Sequence, residues 1–466
     1  MSAADITGAQ VLPPDRRRTV FAIVAFALLM MSLDGTIVAT ALHAIQQDLG
    51  TEVNWAGWTI TAYSLGFVIM LPVAGKLSER LGRKRVFLGS VAVFTAASLL
   101  CGLSGNIATL IALRALQAAG GAGFTPSATG IIVDHFGDWR DRAVGLFGSI
   151  FPIGGMIGPI FGGIFVTYWS WRGIFYVNLP IGLLVLVLAW RFIPGDSPHR
   201  RDPGFSMDSL GMVLMGTGLL GGMLAAAWMG EPGAHLRDIR FLLPAVIGAG
   251  SLAVFFRHIA RVAQPFIAPH FIARGKFGIV NLVNAVFGGM SKGAIALVPI
   301  YAAYRYGLDA LAAGMLLIAQ GMATIVFSAT AAFALRRTGH RLPVFLGVGA
   351  IAAGLVLLSL GPHFGLTPWA WLALSTFVIG AGSGTINPAT RNAGLQLAPE
   401  HASTLAALRS ASLQIGGIVT VSVATAILAG SRDPAQAQSW IYLAMAAALI
   451  VALPLAARLP EHRGSW

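Results

Sequence analysis

Charge is scarce in this chain, and what there is gathers in short clusters. Only 11% of its 466 residues are Asp, Glu, Lys or Arg, against 56% hydrophobic residues and a mean hydropathy of +0.76. Length alone would suggest about two to four soluble domains, but a composition this poor in charge excludes them. The single cysteine, Cys101, rules out an intrachain disulfide. The histidines, among them His43, His135, His258, His340, His363 and His401, are scattered without metal-ligand spacing, so no metal site is expected. No G-x-x-x-x-G-K-[ST] phosphate loop is present, which argues against direct drive by ATP. Neither H-E-x-x-H nor a nucleophile elbow appears, so an intramembrane enzyme is a poor fit and no cofactor is expected.

What the chain has in abundance is apolar runs of about twenty residues, each long enough to span a bilayer as a helix. They predict an all-α integral membrane protein with fourteen spans. Residues 1–18 read as a cytoplasmic tail, 19–194 as a six-helix bundle, 208–256 as two further helices, 277–457 as a second six-helix bundle, and 458–466 as a second tail. Arg16–Arg18 precede a run too long for a cleavable signal, and that run contains Asp34. With the N-terminus inside, about 23 of the Lys and Arg residues fall on the cytoplasmic side and about five outside, which sets both termini in the cytoplasm. The inner clusters include Arg140 and Arg142, Arg200 and Arg201, and Arg336, Arg337 and Arg341. The net charge of +13 therefore reflects orientation and anionic lipid rather than nucleic acid.

The densest cluster is Gly75-Lys76-Leu77-Ser78-Glu79-Arg80-Leu81-Gly82-Arg83-Lys84-Arg85, with six charges in eleven residues. Leu335–Arg341 is a worn copy of it at the matching point of the second half, so the two bundles read as repeats. The cluster resembles the loop that marks the major facilitator superfamily, G-x-L-x-D-R-x-G-R-K, with Glu79 in place of the aspartate. Four further segments resemble motifs of that family. Leu33–Val38 is similar to the first-helix motif of proton-driven exporters, although its asparagine and proline appear here as Ala39 and His43. Arg114–Gly120 is similar to R-x-x-Q-G-x-G, with Ala118 for a glycine. Gly154–Gly163 fits G-x-x-x-G-P-x-x-G-G, the antiporter motif. Trp171–Gly182 looks like the W-R-W-I-F-x-I-N-x-P-I-G run of the fourteen-helix EmrB/QacA-type drug–proton antiporters, with Gly173 and Val177 as departures. The resemblance implies the major facilitator fold, two pseudo-symmetric six-helix bundles plus two inserted helices, and proton-coupled export from the cell's inner membrane.

The same residues carry a physical reading. Asp34 is the only carboxylate well inside a predicted span, where a charge costs about 2.5–3.5 kcal/mol and is expected to carry function. It is the candidate proton carrier, with Arg114 as its coupled cation; the competing reading makes Asp34 a structural partner for a buried cation. Arg114, Tyr63, Lys292 and Gln320 fall at about the same depth, about 12 Å from the outer end of the first span. Tyr63, Gln117, Lys292 and Gln320 are the candidate cavity residues, with Lys292 expected almost opposite Asp34 unless it snorkels to the interface. Gly154, Gly158, Pro159, Gly162 and Gly163 are expected to form a sliding contact with a helix of the other half. Gly75 and Gly82 are expected to permit a tight turn and close approach. Glu79, Arg80, Arg83 and Lys84 are expected to bridge to helix ends of the other half as a latch, and Glu79 is the one whose charge orientation does not explain.

Together these point to outward transport of amphipathic drug-like compounds in exchange for protons. One carboxylate implies a low stoichiometry. The alternative is an exporter of an anionic metabolite, lipid or siderophore-like molecule, because one acid faces Arg114, Lys292 and Arg409. A nutrient permease fits the antiporter motif less well, and a channel-like or structural role fits neither the motif nor the repeat. The expected partners are membrane lipids, protons and a small molecule, not nucleic acid; the sequence does not reveal whether an envelope adaptor takes part.

Overall fold

The computed structural model describes residues 12–51, 53–196, 208–229, 235–262, 265, 267, 269–273, 275–308, 310–429 and 431–461, and within these the regular structure is entirely helical. The helices are α1 (Pro14–Asp48), α2 (Val53–Leu81), α3 (Arg83–Leu103), α4 (Ile107–Gly121, resuming as Phe124–His135), α5 (Arg140–Tyr168) and α6 (Gly173–Tyr176, then Asn178–Phe192). After them come α7 (Ser209–Trp228), α8 (Ile239–Ile259) and α9 (Gly275–Val283, then Gly289–Ala296 and Val298–Tyr306). The last five are α10 (Ala310–Thr338), α11 (Arg341–Ser359), α12 (Pro368–Leu395), α13 (Ala402–Ala429) and α14 (Pro434–Ala452). Thirteen helices among the described residues are long and apolar enough to cross a membrane. The remaining expected span is α7, an apolar helix of 20 residues. Arg200 and Arg201 lie outside the described residues.

Two compact units make up the chain: Met1–Met207 with Ala398–Leu408, and Asp208–Leu397 with Arg409–Trp466. The first turns of α13 thus group with the first unit and the rest of that helix with the second. In the first unit, Leu33, Ile37, Val38 and Ala41 of α1 pack against Cys101, Leu110, Trp171, Ile174 and Phe175. In the second, a core joins Phe287, Tyr301, Val348, Leu355, Ile379 and Tyr442. Within that unit α7 and α8 approach through glycines, since a Cβ on Gly221 would lie 2.5 Å from the Pro244 carbonyl oxygen.

Two spans expected to be continuous are interrupted. α4 breaks at Ala122 and Gly123, with Pro126 in the first turn of the resumed helix. α9 passes through a π turn at Asn284–Gly288, then breaks at Leu297 ahead of Pro299.

The charged cluster differs from the tight turn expected of it. Gly75 through Leu81 continue α2 as helix, and the chain reverses only at Gly82, whose φ of +107° lies in the region open to glycine. Asp196 seats against this glycine and accepts from the backbone N–H of Lys84 at 2.8 Å and of Arg85 at 3.2 Å, capping the start of α3. The second unit uses the same device. Gly339 turns with φ +70°, and Glu461 accepts from the N–H groups of His340 and Arg341, both at 3.1 Å. In the first unit the acid follows α6 and caps α3; in the second it follows α14 and caps α11.

Candidate functional site

α1 presents two different faces one residue pair apart. At 100° per residue, Ser32, Thr36 and Thr40 form one stripe, and Asp34 points about 200° away from Thr36. Asp34 is fully buried and meets α4 and α6. Arg114 Nη1 donates to its Oδ2 at 2.7 Å, while Gln117 Nε2 and Asn178 Nδ2 donate to its Oδ1 at 2.8 and 2.9 Å. Arg114 and Gln117 are three residues apart on α4 and therefore reach the same carboxylate. They also bond each other, Nη1 to Oε1, at 2.6 Å. Ser98 of α3 closes the cluster by accepting from Gln117 Nε2 at 2.7 Å.

The Arg114 guanidinium carbon lies 4.2 Å from the centre of the Tyr63 ring, and its Nε donates to the Thr59 carbonyl. The Tyr63 hydroxyl is buried and has no hydrogen-bond partner. Four helices thus surround one carboxylate with three donors and a stacked cation. Protonation of Asp34 would cancel its charge and turn one of its oxygens into a donor, so that Arg114, Gln117 and Asn178 could not all keep their bonds to it.

The opposite stripe of α1 meets the antiporter-motif glycines of α5. A methyl group added to Gly154, Gly158 or Gly162 would approach Ser32, Thr36 or Thr40 respectively to under 3.0 Å. Ser32 Oγ donates to the Phe151 carbonyl at 2.7 Å and Thr36 Oγ1 to the Gly154 carbonyl at 3.3 Å. The partner of this glycine face is therefore α1 of the same unit, not a helix of the other half as expected. The reason is the pairing of two small-residue stripes at the same spacing of four. Gly163 faces open space, and the side-chain placement of Pro159 lies outside the described residues.

The charged cluster divides its work. Glu79 Oε1 accepts from the Thr404 N–H at 2.8 Å, in the first turn of α13, and its Oε2 lies 3.3 Å from His401 Nδ1. One turn away, Gly75 backs onto Ser403, Thr404 and Ala407, where a Cβ would come within 3.0 Å of the Thr404 Cα. Ser78 and Ser403 share a hydrogen bond at 3.2 Å. Arg83 and Lys84, expected to bridge to the other half, instead bond within the first unit. Buried Arg83 pairs with Asp134 at 2.8 Å and donates to the Gly130 carbonyl. Lys84 Nζ donates to the Trp190 and Ile193 carbonyls at the end of α6, where unpaired carbonyls attract a cation. Arg80 is half-buried in the last turn of α2.

Lys292 and Gln320 belong to the second unit. Lys292 is exposed and donates to Gln414 Oε1, and Gln320 Nε2 donates to Thr324 Oγ1 at 2.9 Å. The groups bonding Asp34 come from α4 and α6 of its own unit, so the cluster as built is Asp34, Arg114, Gln117 and Asn178, with Ser98 of α3 behind Gln117. Sequence reasoning missed Asn178 and Ser98 as members. Asn178 stood inside the Trp171–Gly182 run and was findable from it; Ser98 carried no signal beyond being polar in an apolar helix.

Comparison with known proteins decides the family. The model of the Major Facilitator Superfamily matches residues 24–421 and, separately, 277–466. The chain belongs to the major facilitator superfamily. It is 31% identical over 381 residues to an uncharacterized MFS-type transporter of Mycobacterium tuberculosis, covering 81% of this chain but only 54% of that protein's length. The chain thus spans about half the length of that relative. A multidrug resistance protein B homolog of the same organism is 30% identical over 405 residues, 86% of this chain and 74% of that one. The human organic anion transporter MFSD10 superposes with a TM-score of 0.70 at 16% identity, over 96% of this chain and all of that one, and so shares the fold. The chain is therefore a multi-pass membrane protein of a transporter superfamily, not a member of an enzyme family.

Proposed function

We propose that this major facilitator protein is a proton-coupled antiporter of the inner (plasma) membrane that exports amphipathic drug-like compounds. The observation that carries the reading is the closed cluster around Asp34, a buried carboxylate whose donors come from two other helices. A proton arriving at Asp34 cancels its charge and turns one of its two oxygens into a donor, so that Arg114, Gln117 and Asn178 can no longer all donate to it. α1 is then held less firmly by α4 and α6, while its other stripe still rides on the smooth glycine face of α5. That face keeps α1 and α5 paired through close backbone approach and the Ser32 and Thr36 hydrogen bonds, so the two would shift together. Proton binding would in this way bias the position of α1, and substrate binding would bias it the other way. An inward proton supplies about 2.3 kcal/mol per 100 mV of membrane potential. No cofactor is needed.

The multidrug resistance name of the relative supports the direction and substrate class. Glu79 completes the cycle as a latch: its carboxylate binds the positive end of α13, and that bond must break when the start of α13 moves. The test is proton flux in everted vesicles energised by respiration. Addition of a cationic or neutral amphipathic drug should release protons from wild-type vesicles and not from Asp34→Asn vesicles with equal protein content.

A further inference from the structure

The second unit has a charge imbalance that the Asp34 cluster does not use. Between residues 239 and 460 the chain holds three acids, Asp309, Glu400 and Asp433, of which Glu400 groups with the first unit. Yet two arginines of this unit are buried in its helices: Arg391 of α12 and Arg409 of α13, only 5% and 7% exposed. Their charges lie near enough to act on one another. Asn387 sits four residues before Arg391, on the same face of α12. It accepts from Arg409 Nη2 at 2.6 Å, whereas the Arg409 Nε is buried with no hydrogen-bond partner. A neutral amide oxygen satisfies one N–H of the fork and none of its charge. Among the described residues the buried carboxylate of this unit is Asp208, and it is engaged by the Gly211 N–H and by His258.

We propose that Arg409, with Asn387 and Arg391, forms an oxyanion subsite that takes a carboxylate or phosphate group. The guanidinium fork matches the two oxygens of such a group, and an arriving anion would supply both the missing acceptor and the missing charge. Two sources share this chemistry: an organic anion carried as substrate, and the headgroup of an anionic lipid. The substrate source rests on the reading of the chain as an exporter and narrows it toward anionic amphipaths. The site itself does not depend on proton coupling.

Equilibrium binding to the purified full-length protein in an uncharged detergent tests this, read by thermal unfolding without any gradient. The probes are 2-naphthoate against 2-naphthamide, and dihexanoyl phosphatidylglycerol against dihexanoyl phosphatidylcholine. Wild type should prefer the anionic member of a pair by about tenfold, equivalent to about 1.4 kcal/mol. In Arg409→Gln the preference should fall to about one, and in Arg409→Lys it should persist in reduced form. Should Arg409→Gln not fold, Arg391→Gln carries the test and should likewise lower the preference. A preference for naphthoate assigns the site to a substrate anion, and one confined to phosphatidylglycerol assigns it to a headgroup. Equal binding within both pairs by wild type, or a preference unchanged in the arginine variants, overturns the proposal. Because no gradient is present, failure of proton-coupled efflux in vesicles would leave this result readable on its own.

Discussion

Asp34 and Arg114 meet at 2.7 Å where neither is more than 1% exposed, and Asn178 approaches the same carboxylate from a third helix. Breaking a buried pair by removing one partner leaves an uncompensated charge, which is costlier than the pair itself is stabilising. Arg114→Ala, which also empties a buried site, should therefore destabilise the protein by about 3–5 kcal/mol or fail to accumulate, whereas Asp34→Asn keeps the side-chain shape and one acceptor oxygen and should fold at a smaller cost, although Arg114 loses its counter-charge. Thermal unfolding of the two purified variants checks the asymmetry.

Asn178 donates to the carboxylate without carrying charge. Loss of this buried bond to a charged acceptor should make Asn178→Ala less stable than wild type by about 1.5–3 kcal/mol in thermal unfolding. A stability equal to wild type would reduce Asn178 to packing.

The match of α5 glycines to α1 hydroxyls gives a paired prediction. Gly158→Ala should cost about 1–3 kcal/mol, because its methyl group runs into Thr36 Oγ1. Adding Thr36→Ala should recover part of that loss, since the two positions touch and their effects do not add. A double-mutant cycle in thermal unfolding measures the recovery.

The fold was legible because its signals are local. Apolar runs mark the spans, and the Gly75–Arg85 cluster marks where α2 hands over to α3. The cluster's partners were not legible, because they depend on which helix end arrives beside each charge. Glu79 found the start of α13, while Arg83 and Lys84 were claimed by Asp134 and by the end of α6. Gly75 was expected to serve both a turn and a close approach, and it serves the close approach, inside a continuous helix. Asp34 and Arg114 were found from the cost of burying charge. Asn178 was not, since a neutral amide carries a smaller burial penalty than a charge and only the Trp171–Gly182 run marked it.

Asp48 at the end of α1 offers a test of acid lability. It accepts from Arg172 Nη1 at 2.6 Å and Trp171 Nε1 at 3.0 Å, and these bonds, Arg172 foremost, hold its pKa below the ordinary 3.8. A depressed folded-state pKa stabilises above the unfolded value and is lost as pH falls through the folded one. Wild type should therefore exceed Asp48→Asn in stability at pH 5, by a small margin because the pair is exposed, and the two should converge below about pH 3.8.

Glu79 and the Thr404 N–H predict a local effect rather than a global one. Glu79→Ala should expose the amides of residues 398–408 to faster hydrogen exchange, by about tenfold for a lost cap of about 1.4 kcal/mol. Exchange elsewhere in α2 should be little changed.

The most direct test of the account is proton release from everted vesicles on adding a transported drug, compared between wild type and Asp34→Asn at matched expression. The account predicts drug-dependent proton release in wild type and none in the variant, which should still bind the drug. Drug-dependent proton release retained by Asp34→Asn would contradict it.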